Sequence, residues 1–259
     1  LTNLMPAIFI GHGNPMNALS KNIYTEGWAS ISKSIPHPKA ILSVSAHYYI
    51  PFCMVTSSHS PPTIHDFSGF PKELYQVKYP APGSPELAHR VKELLKPTLV
   101  SFDESWGLDH GTWSVLKHVF PKADIPVVQL SINETQPTMF HYEIGNRLMS
   151  LRKEGIVIIG SGNIVHNLAA YNWKNKDRPP FDWAMRFEKY VREMLIEGDV
   201  TSLINYQNFG DDAMLSVPYP DHYLPFIYIL GLRKEMENVS FPVQGVDGGS
   251  VSMLAVQIG

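Results

Sequence analysis

Ala7-Ile8-Phe9-Ile10-Gly11-His12-Gly13 is an unbroken apolar run that ends on a histidine held between two glycines. A short apolar run bounded by turn residues suits a strand buried on both faces. The same pattern recurs along the chain. Residues 40–46 (AILSVSA) run up to His47, and residues 125–132 (IPVVQLSI) form a third run. Residues 156–159 form a fourth, which ends in Gly160-Ser161-Gly162-Asn163, and residues 251–258 form a fifth that closes the chain.

Helical patterns lie between these runs. Ser84-Pro85-Glu86 supplies an N-cap, a proline at the first helical position and an acid in the first turn. Leu87, Val91, Leu94 and Leu95 then make one apolar stripe, which Pro97 ends. Phe140, Ile144, Leu148 and Leu151 make a second, stopped by Gly155 as a C-cap. Trp183, Phe187, Tyr190, Val191, Met194 and Leu195 make a third, and a short helix over 223–230 must carry Pro225 in its first turn. Strand and helix in alternation predict an α/β fold with one central sheet covered on both sides. No linker divides residues 1–259, so a single domain is expected. The stretch 51–82 is rich in Pro, Gly, His and Ser and long for a loop, a feature often functional in compact domains. Residues 172–180 read as a polar surface loop.

The chain has 259 residues, of which 44% are hydrophobic, 11% aromatic and 17% charged, a composition that buries a core and argues against disorder. A formal net charge of -3 implies no strongly basic face, so nucleic acid is not an expected partner. No run approaches the ~18 consecutive apolar residues of a membrane helix, so no membrane partner is expected either. Cys53 is the single cysteine, which points to a reducing compartment. The segment 1–10 lacks the basic and apolar regions of a secretory signal and reads as a lead-in to the first strand. Together these features favour the cytoplasm.

Eleven histidines are the unusual feature. Histidine is the commonest metal ligand and the usual acid or base near neutral pH. His12, His47 and His166 each follow the carboxyl end of a strand run, and ligands of open α/β sheets bind outside those ends. Three histidines so placed can converge on one point, although any one alone reads more readily as a cap or core residue. His110, in Asp109-His110-Gly111, and His222, in Asp221-His222-Tyr223, sit at turns onto helix starts, the first helix beginning near Thr112 or Trp113. His65 lies in the long loop and either contacts substrate or is a plain polar loop residue. His37, His59, His89, His118 and His141 read as surface or packing residues, and Cys53 as a buried, inert thiol. Gly11-His12-Gly13-Asn14-Pro15 lacks the third glycine of a dinucleotide fingerprint. Gly160-Ser161-Gly162 does not make a nucleophile elbow.

Several segments, in order along nearly the whole chain, carry a family resemblance. They include GHGNPMN (11–17), SAHY (45–48), PPTIHDFSGFP (61–71), YPAPGSPELA (79–88) and GLDHGTWSVL (107–116). PVVQLSI (126–132), SGNIVHN (161–167), DHYLP (221–225) and SMLAVQIG (252–259) complete the set. In these the chain resembles the 4,5-DOPA dioxygenase extradiol group of the class III extradiol ring-cleavage dioxygenases, relatives of the catalytic subunit of protocatechuate 4,5-dioxygenase. The resemblance implies a three-layer α/β/α fold with one central mixed sheet, and a homo-oligomer. It implies one divalent metal ion, Zn2+ or Fe2+, held by His12, His47 and His222, with His166 beside it as a further ligand or as the acid/base. His110 would be a second acid/base or a substrate contact.

The reaction so implied opens a catechol ring, L-DOPA being the model, with O2 to a muconic semialdehyde. Fe2+ is expected for that activity, because zinc has no redox chemistry. His65 and Asp66 are candidate substrate contacts, as are the aromatic residues Tyr48, Trp106 and Tyr223. Arg186, Lys78 and Asp66 are available to pair with an amino-acid side chain. One departure stands out: non-haem iron oxygenases commonly use two histidines and one carboxylate, and here the late position is His222 with Asp221 beside it. Two other readings compete. A zinc hydrolase would use a metal-bound water, with Asp66 or Asp109 as its base. A non-catalytic metal- or aromatic-binding protein would leave His110 and His166 without a chemical role.

Overall fold

The computed structural model describes residues 4–259. The first residues of the expected lead-in, 1–3, lie outside that range. Six strands form the main sheet: β1 (Ala7–Gly11), β2 (Ala40–Ser45), β3 (Val127–Gln129), β4 (Ile156–Gly162), β5 (Val239–Val243) and β6 (Ala255–Ile258). Their order is β3-β2-β4-β1-β6-β5. The first four are parallel, β6 runs antiparallel to β1, and β5 antiparallel to β6. The sheet is therefore mixed, with its antiparallel strands at one side.

Six longer helices cover it: α1 (Ile23–Ser34), α2 (Pro85–Leu94), α3 (His110–Val119), α4 (Thr138–Arg147), α5 (Asp182–Glu197) and α6 (Leu224–Gly231). Alternate residues of each strand serve opposite faces. Phe9, Leu42, Val44 and Ile158 pack with Ile144, Phe187 and Phe226 of α4, α5 and α6. Ile8, Ile10, Ile41 and Ile159 pack with Trp28 of α1 and Trp113 of α3. Two separate cores, one on each face, make the expected three layers. Among the described residues no helix is long and apolar enough to cross a membrane.

The helix ends follow the sequence signals. Ser84 Oγ accepts from the Leu87 amide at 3.1 Å, with Pro85 opening α2. Gly155 takes a left-handed φ of 87° after the turn Met149–Lys153. Other expectations need correction. The helix after Asp109 begins at His110 rather than Thr112, because the Asp109 carboxylate caps it by accepting from the Thr112 amide at 3.2 Å. The run 125–132 is not one strand: only Val127–Gln129 joins the sheet, and Ile132–Asn133 pairs with Tyr49–Ile50. The run 251–258 also divides. Val251–Ser252 pairs with Val246–Asp247, and the main sheet resumes at Ala255.

One contact places the functional region. A Cβ on Gly162 would stand 2.1 Å from the His222 carbonyl oxygen, and one on Gly160 2.5 Å from that of Pro225. The glycines at the end of β4 let the start of α6 lie directly on the strand. The Asn163 amide then donates to the His222 carbonyl at 2.9 Å. Gly160-Ser161-Gly162 is thus a seat for the His222 turn.

Candidate metal centre

Five histidines meet at the carboxyl ends of the parallel strands. His12 directly follows β1, and His47 follows β2 by two residues. His222 ends the 3-10 turn Pro220–His222 ahead of α6, and His110 opens α3. His166 lies past β4, held by its amide on the Ser216 carbonyl at 2.8 Å.

The hydrogen bonds fix which ring nitrogens are free. Ser161 Oγ donates its one proton to the Gly111 carbonyl at 2.5 Å, so at 3.0 Å it can only accept from His12 Nδ1. His12 therefore carries its proton on Nδ1 and a lone pair on Nε2. His222 Nδ1 donates to Asp221 Oδ2 at 2.8 Å, and His47 Nδ1 lies 3.3 Å from Asp66 Oδ2. Both rings likewise turn Nε2 away from their carboxylates. His12 and His47 Nε2 stand 3.2 Å apart. With a proton on His47 Nε2 this is an N–H···N hydrogen bond, and with both nitrogens bare it is the separation that a shared cation sets. Two nitrogens bound about 2.1 Å from one tetrahedral ion stand about 3.4 Å apart. The donor set of His12, His47 and His222, with ring nitrogens all within 4.8 Å of one another, thus fits a divalent ion. Metal-bound imidazoles usually donate their other ring N–H to an oxygen, as His12 does to Ser161 and His222 to Asp221.

Electrostatics agree with this arrangement. Burial lowers the pKa of His12 well below its ordinary value, and the nearby His222, His110 and His166 push the same way. Burial also lowers His47, joined by His110 and His12. Neutral imidazole is the form that binds a metal. Burial works against ionisation of Asp66 and Asp221, yet hydrogen bonds from His110 and His222 respectively hold both carboxyls below the usual range.

His166 does not join the three-nitrogen group. Its ring is stacked on that of His222, with centroids 3.5 Å apart and planes within 6°. Burial, then His222, lowers its pKa, against the pull of Asp221. His110 Nδ1 is 2.9 Å from Asp66 Oδ2, and the His110 amide donates to Asp66 Oδ1 at 2.8 Å. Asp66 therefore stands behind two histidines, accepting from His110 and lying 3.3 Å from His47 Nδ1. The grouping of His47, Asp66 and His110 is accounted for by these hydrogen bonds. Asp109 adds a deeper tie: Ser45 Oγ donates to its Oδ1 at 2.6 Å, and Ser45 Oγ accepts the His47 amide at 3.2 Å.

The five histidines form one end of a cavity of about 200 Å3. Phe70, Leu168, Tyr171, Trp173 and Val251 line much of the rest. Other candidate contacts lie elsewhere. His65 is not in the lining; its Nε2 donates to the Val77 carbonyl at 2.9 Å. Tyr48 and Trp106 stack on each other, and the Tyr223 hydroxyl donates to the Leu203 carbonyl. Arg186 is exposed and paired with Asp212 at 2.6 Å, and Lys78 lies outside the cavity. Trp173 corrects the reading of 172–180 as simply polar surface. No periodic signal marks a lone aromatic in a loop. Ser161 was also missed, although it lies in register with Ile10, two residues before His12. His37, His59, His89, His118 and His141 all lie outside the cavity, as expected.

The model of the catalytic LigB subunit of aromatic ring-opening dioxygenase matches residues 6–249. The chain is 49% identical to a 4,5-DOPA dioxygenase extradiol of Escherichia coli K12, over 98% of this chain and 95% of that one. It is 36% identical to a protein of the same name from Beta vulgaris, over 96% and 95% of the two chains. The crystal structure of an uncharacterized protein of Escherichia coli K12 superposes with a TM-score of 0.85 at 44% identity, covering 98% of this chain and all of that one. With its mixed sheet and its histidine cluster at the strand ends, the chain belongs to the family of the catalytic LigB subunit of aromatic ring-opening dioxygenases.

Proposed function

We propose that the protein opens catechol rings of the L-DOPA type by extradiol cleavage, with Fe2+ held by His12, His47 and His222. The observation that carries this reading is the convergence of three imidazoles: His12 and His222 have Nε2 left bare by an oxygen partner on Nδ1, and His47 joins them with its Nδ1 3.3 Å from Asp66 Oδ2. An iron ion there supplies the redox chemistry that lets an electron-rich ring react with O2. The chain's own residues do the rest.

His110 holds its Nδ1 proton toward Asp66, which leaves Nε2 as an acceptor for a catechol hydroxyl proton. His166, across the centre and stacked on His222, is the imidazole that relays this proton to the product as the ring opens. Phe70, Tyr171 and Val251 form the wall beside the centre and keep water from the reacting atoms. Both atoms of O2 enter the product: the carbon–carbon bond beside the diol breaks, one new oxygen ends in the aldehyde and the other in the carboxylate. The proton that His110 takes from the hydroxyl goes on to the opened product through His166, and the new carboxylic acid releases one proton to solvent as it ionises.

The test strips the metal, reloads the protein anaerobically with Fe2+ or Zn2+, then adds L-DOPA and oxygen. Oxygen uptake with a yellow semialdehyde is expected with iron alone. No product with either metal across several simple catechols would overturn the proposal in favour of a hydrolase or a binding protein.

A further inference from the structure

The cavity has two chemically distinct ends. The metal end is buried imidazole: His12, His110 and His222 are 1%, 4% and 5% exposed. The mouth is marked by Trp173 and Leu168, which are 56% and 48% exposed. Between them the wall is Phe70, Tyr171 and Val251. Among the described residues lining the cavity none is Lys, Arg, Asp or Glu. Two of its polar groups face other partners. The Tyr171 hydroxyl donates to Asp247 Oδ2 at 2.6 Å, and Asn14 Oδ1 accepts the Met16 amide at 2.9 Å.

A catechol whose two oxygens face the imidazoles must place the far edge of its ring against this wall. A carboxylate fixed directly on that edge would lose its water and meet no cation, and a buried unpaired charge is strongly disfavoured. A charge carried on a flexible side chain escapes this cost, because the chain can reach the open mouth. An ammonium there gains a further contact over the Trp173 ring.

Resting on the ring-cleavage reading above, we propose that this cavity selects catechols whose ring edge is uncharged, with any charge on a side chain that reaches the Trp173 mouth, and that it rejects dihydroxybenzoates. 4-Methylcatechol, dopamine and L-DOPA belong to the accepted class, and 3,4-dihydroxybenzoate to the rejected one.

The test measures binding to the Zn2+-loaded protein, which does not consume the ligand, by calorimetry. In parallel, kcat/KM is measured with the Fe2+-loaded protein. Binding of 3,4-dihydroxybenzoate is expected to be about 10- to 100-fold weaker than that of 4-methylcatechol, and L-DOPA and dopamine should stay near the latter. Phe70→Lys, which sets a cation in the wall, should narrow that gap. Leu168→Lys provides a second test at an exposed position. Equal or tighter binding of the dihydroxybenzoate by the unaltered protein would overturn the inference, as would a gap unmoved by both lysines. Failure of the ring-cleavage reading would look different: the binding order would hold while no catechol was consumed.

Discussion

Asp66→Asn tests the centre at the point where two functions share one group. The Asp66 carboxylate accepts from His110 Nδ1 at 2.9 Å and from the His110 amide at 2.8 Å, and its Oδ2 lies 3.3 Å from His47 Nδ1. An asparagine amide offers one acceptor oxygen and sets two N–H donors in place of the other. If its oxygen faces the imidazoles, its NH2 opposes the His110 backbone N–H. If the amide is turned, two ring N–H groups lose their acceptor. In either orientation the charge that strengthens these bonds is gone. His47 then becomes a weaker and less well-aimed ligand. Loss of such a partner typically costs 10- to 100-fold in metal affinity, or about 1.4–2.8 kcal/mol. Zn2+ affinity measured against a chromophoric chelator should fall by that factor. Nitrogen NMR of labelled histidines should show the Nδ1–H form of His47 and His110 in the wild type, and a mixture of forms in the variant. An affinity within about twofold of wild type, with His47→Ala unable to bind zinc, would refute the role given to Asp66.

His12→Ala, His47→Ala and His222→Ala should each abolish stoichiometric metal binding, whereas His110→Ala and His166→Ala should retain the metal and lose about 10²–10⁴-fold in ring cleavage; metal analysis beside oxygen uptake separates the two groups. Arg152 is fully buried and binds Glu237 at 2.7 and 2.9 Å as well as the carbonyls of Met5 and Leu232. Arg152→Met should therefore lower the unfolding free energy by about 3 kcal/mol, and a denaturant midpoint equal to wild type would contradict this. Burial holds the pKa of His141 down from 6.5 to about 4. Its folded form stays neutral while its unfolded form takes up a proton, so stability falls as pH drops from about 6.5 and the loss is complete below about 4. The contribution is at most about 3 kcal/mol. His141→Leu should flatten the stability profile of the metal-free protein in that window, and an unchanged slope would remove His141 as its source.

The layered fold was legible because both faces of the sheet are apolar, so β1, β2 and β4 stand out as continuous runs. The edge strand β5 was not read: it alternates exposed and buried residues and contains Pro242, a sign that appears weak until its neighbour is known. The breaks within 125–132 and 251–258 are tertiary. At Ser131 the amide turns away from the sheet to the Met54 carbonyl, and at Met253 to that of Gly245, and neither pairing is visible locally. Strand-end position brought His12, His47 and His166 forward together. Only resemblance added His222 as a ligand candidate, with His166 kept beside it as a further ligand or the acid/base, because His222 reaches the centre on a turn that β4's glycines seat rather than on a strand. Asp66 was visible as a candidate but not in its place, since a loop residue's direction depends on the whole path of 51–82.

The absence of a carboxylate among the three nitrogen donors looked like a departure from the two-histidine, one-carboxylate pattern. The geometry moves the carboxylates outward instead of removing them. Asp221 folds back onto the histidine next to it in sequence, and Asp66 comes from the long loop to stand behind His47. Both are held ionised against the cost of burial by the N–H groups they accept. Two negative charges one imidazole away from the centre balance a divalent ion, as directly bound carboxylates would. Each also fixes a ring tautomer, which a bound carboxylate cannot do. Charge balance and ligand orientation are therefore carried by the same two residues. For this reason their removal should disturb metal binding without deleting any atom that touches the ion.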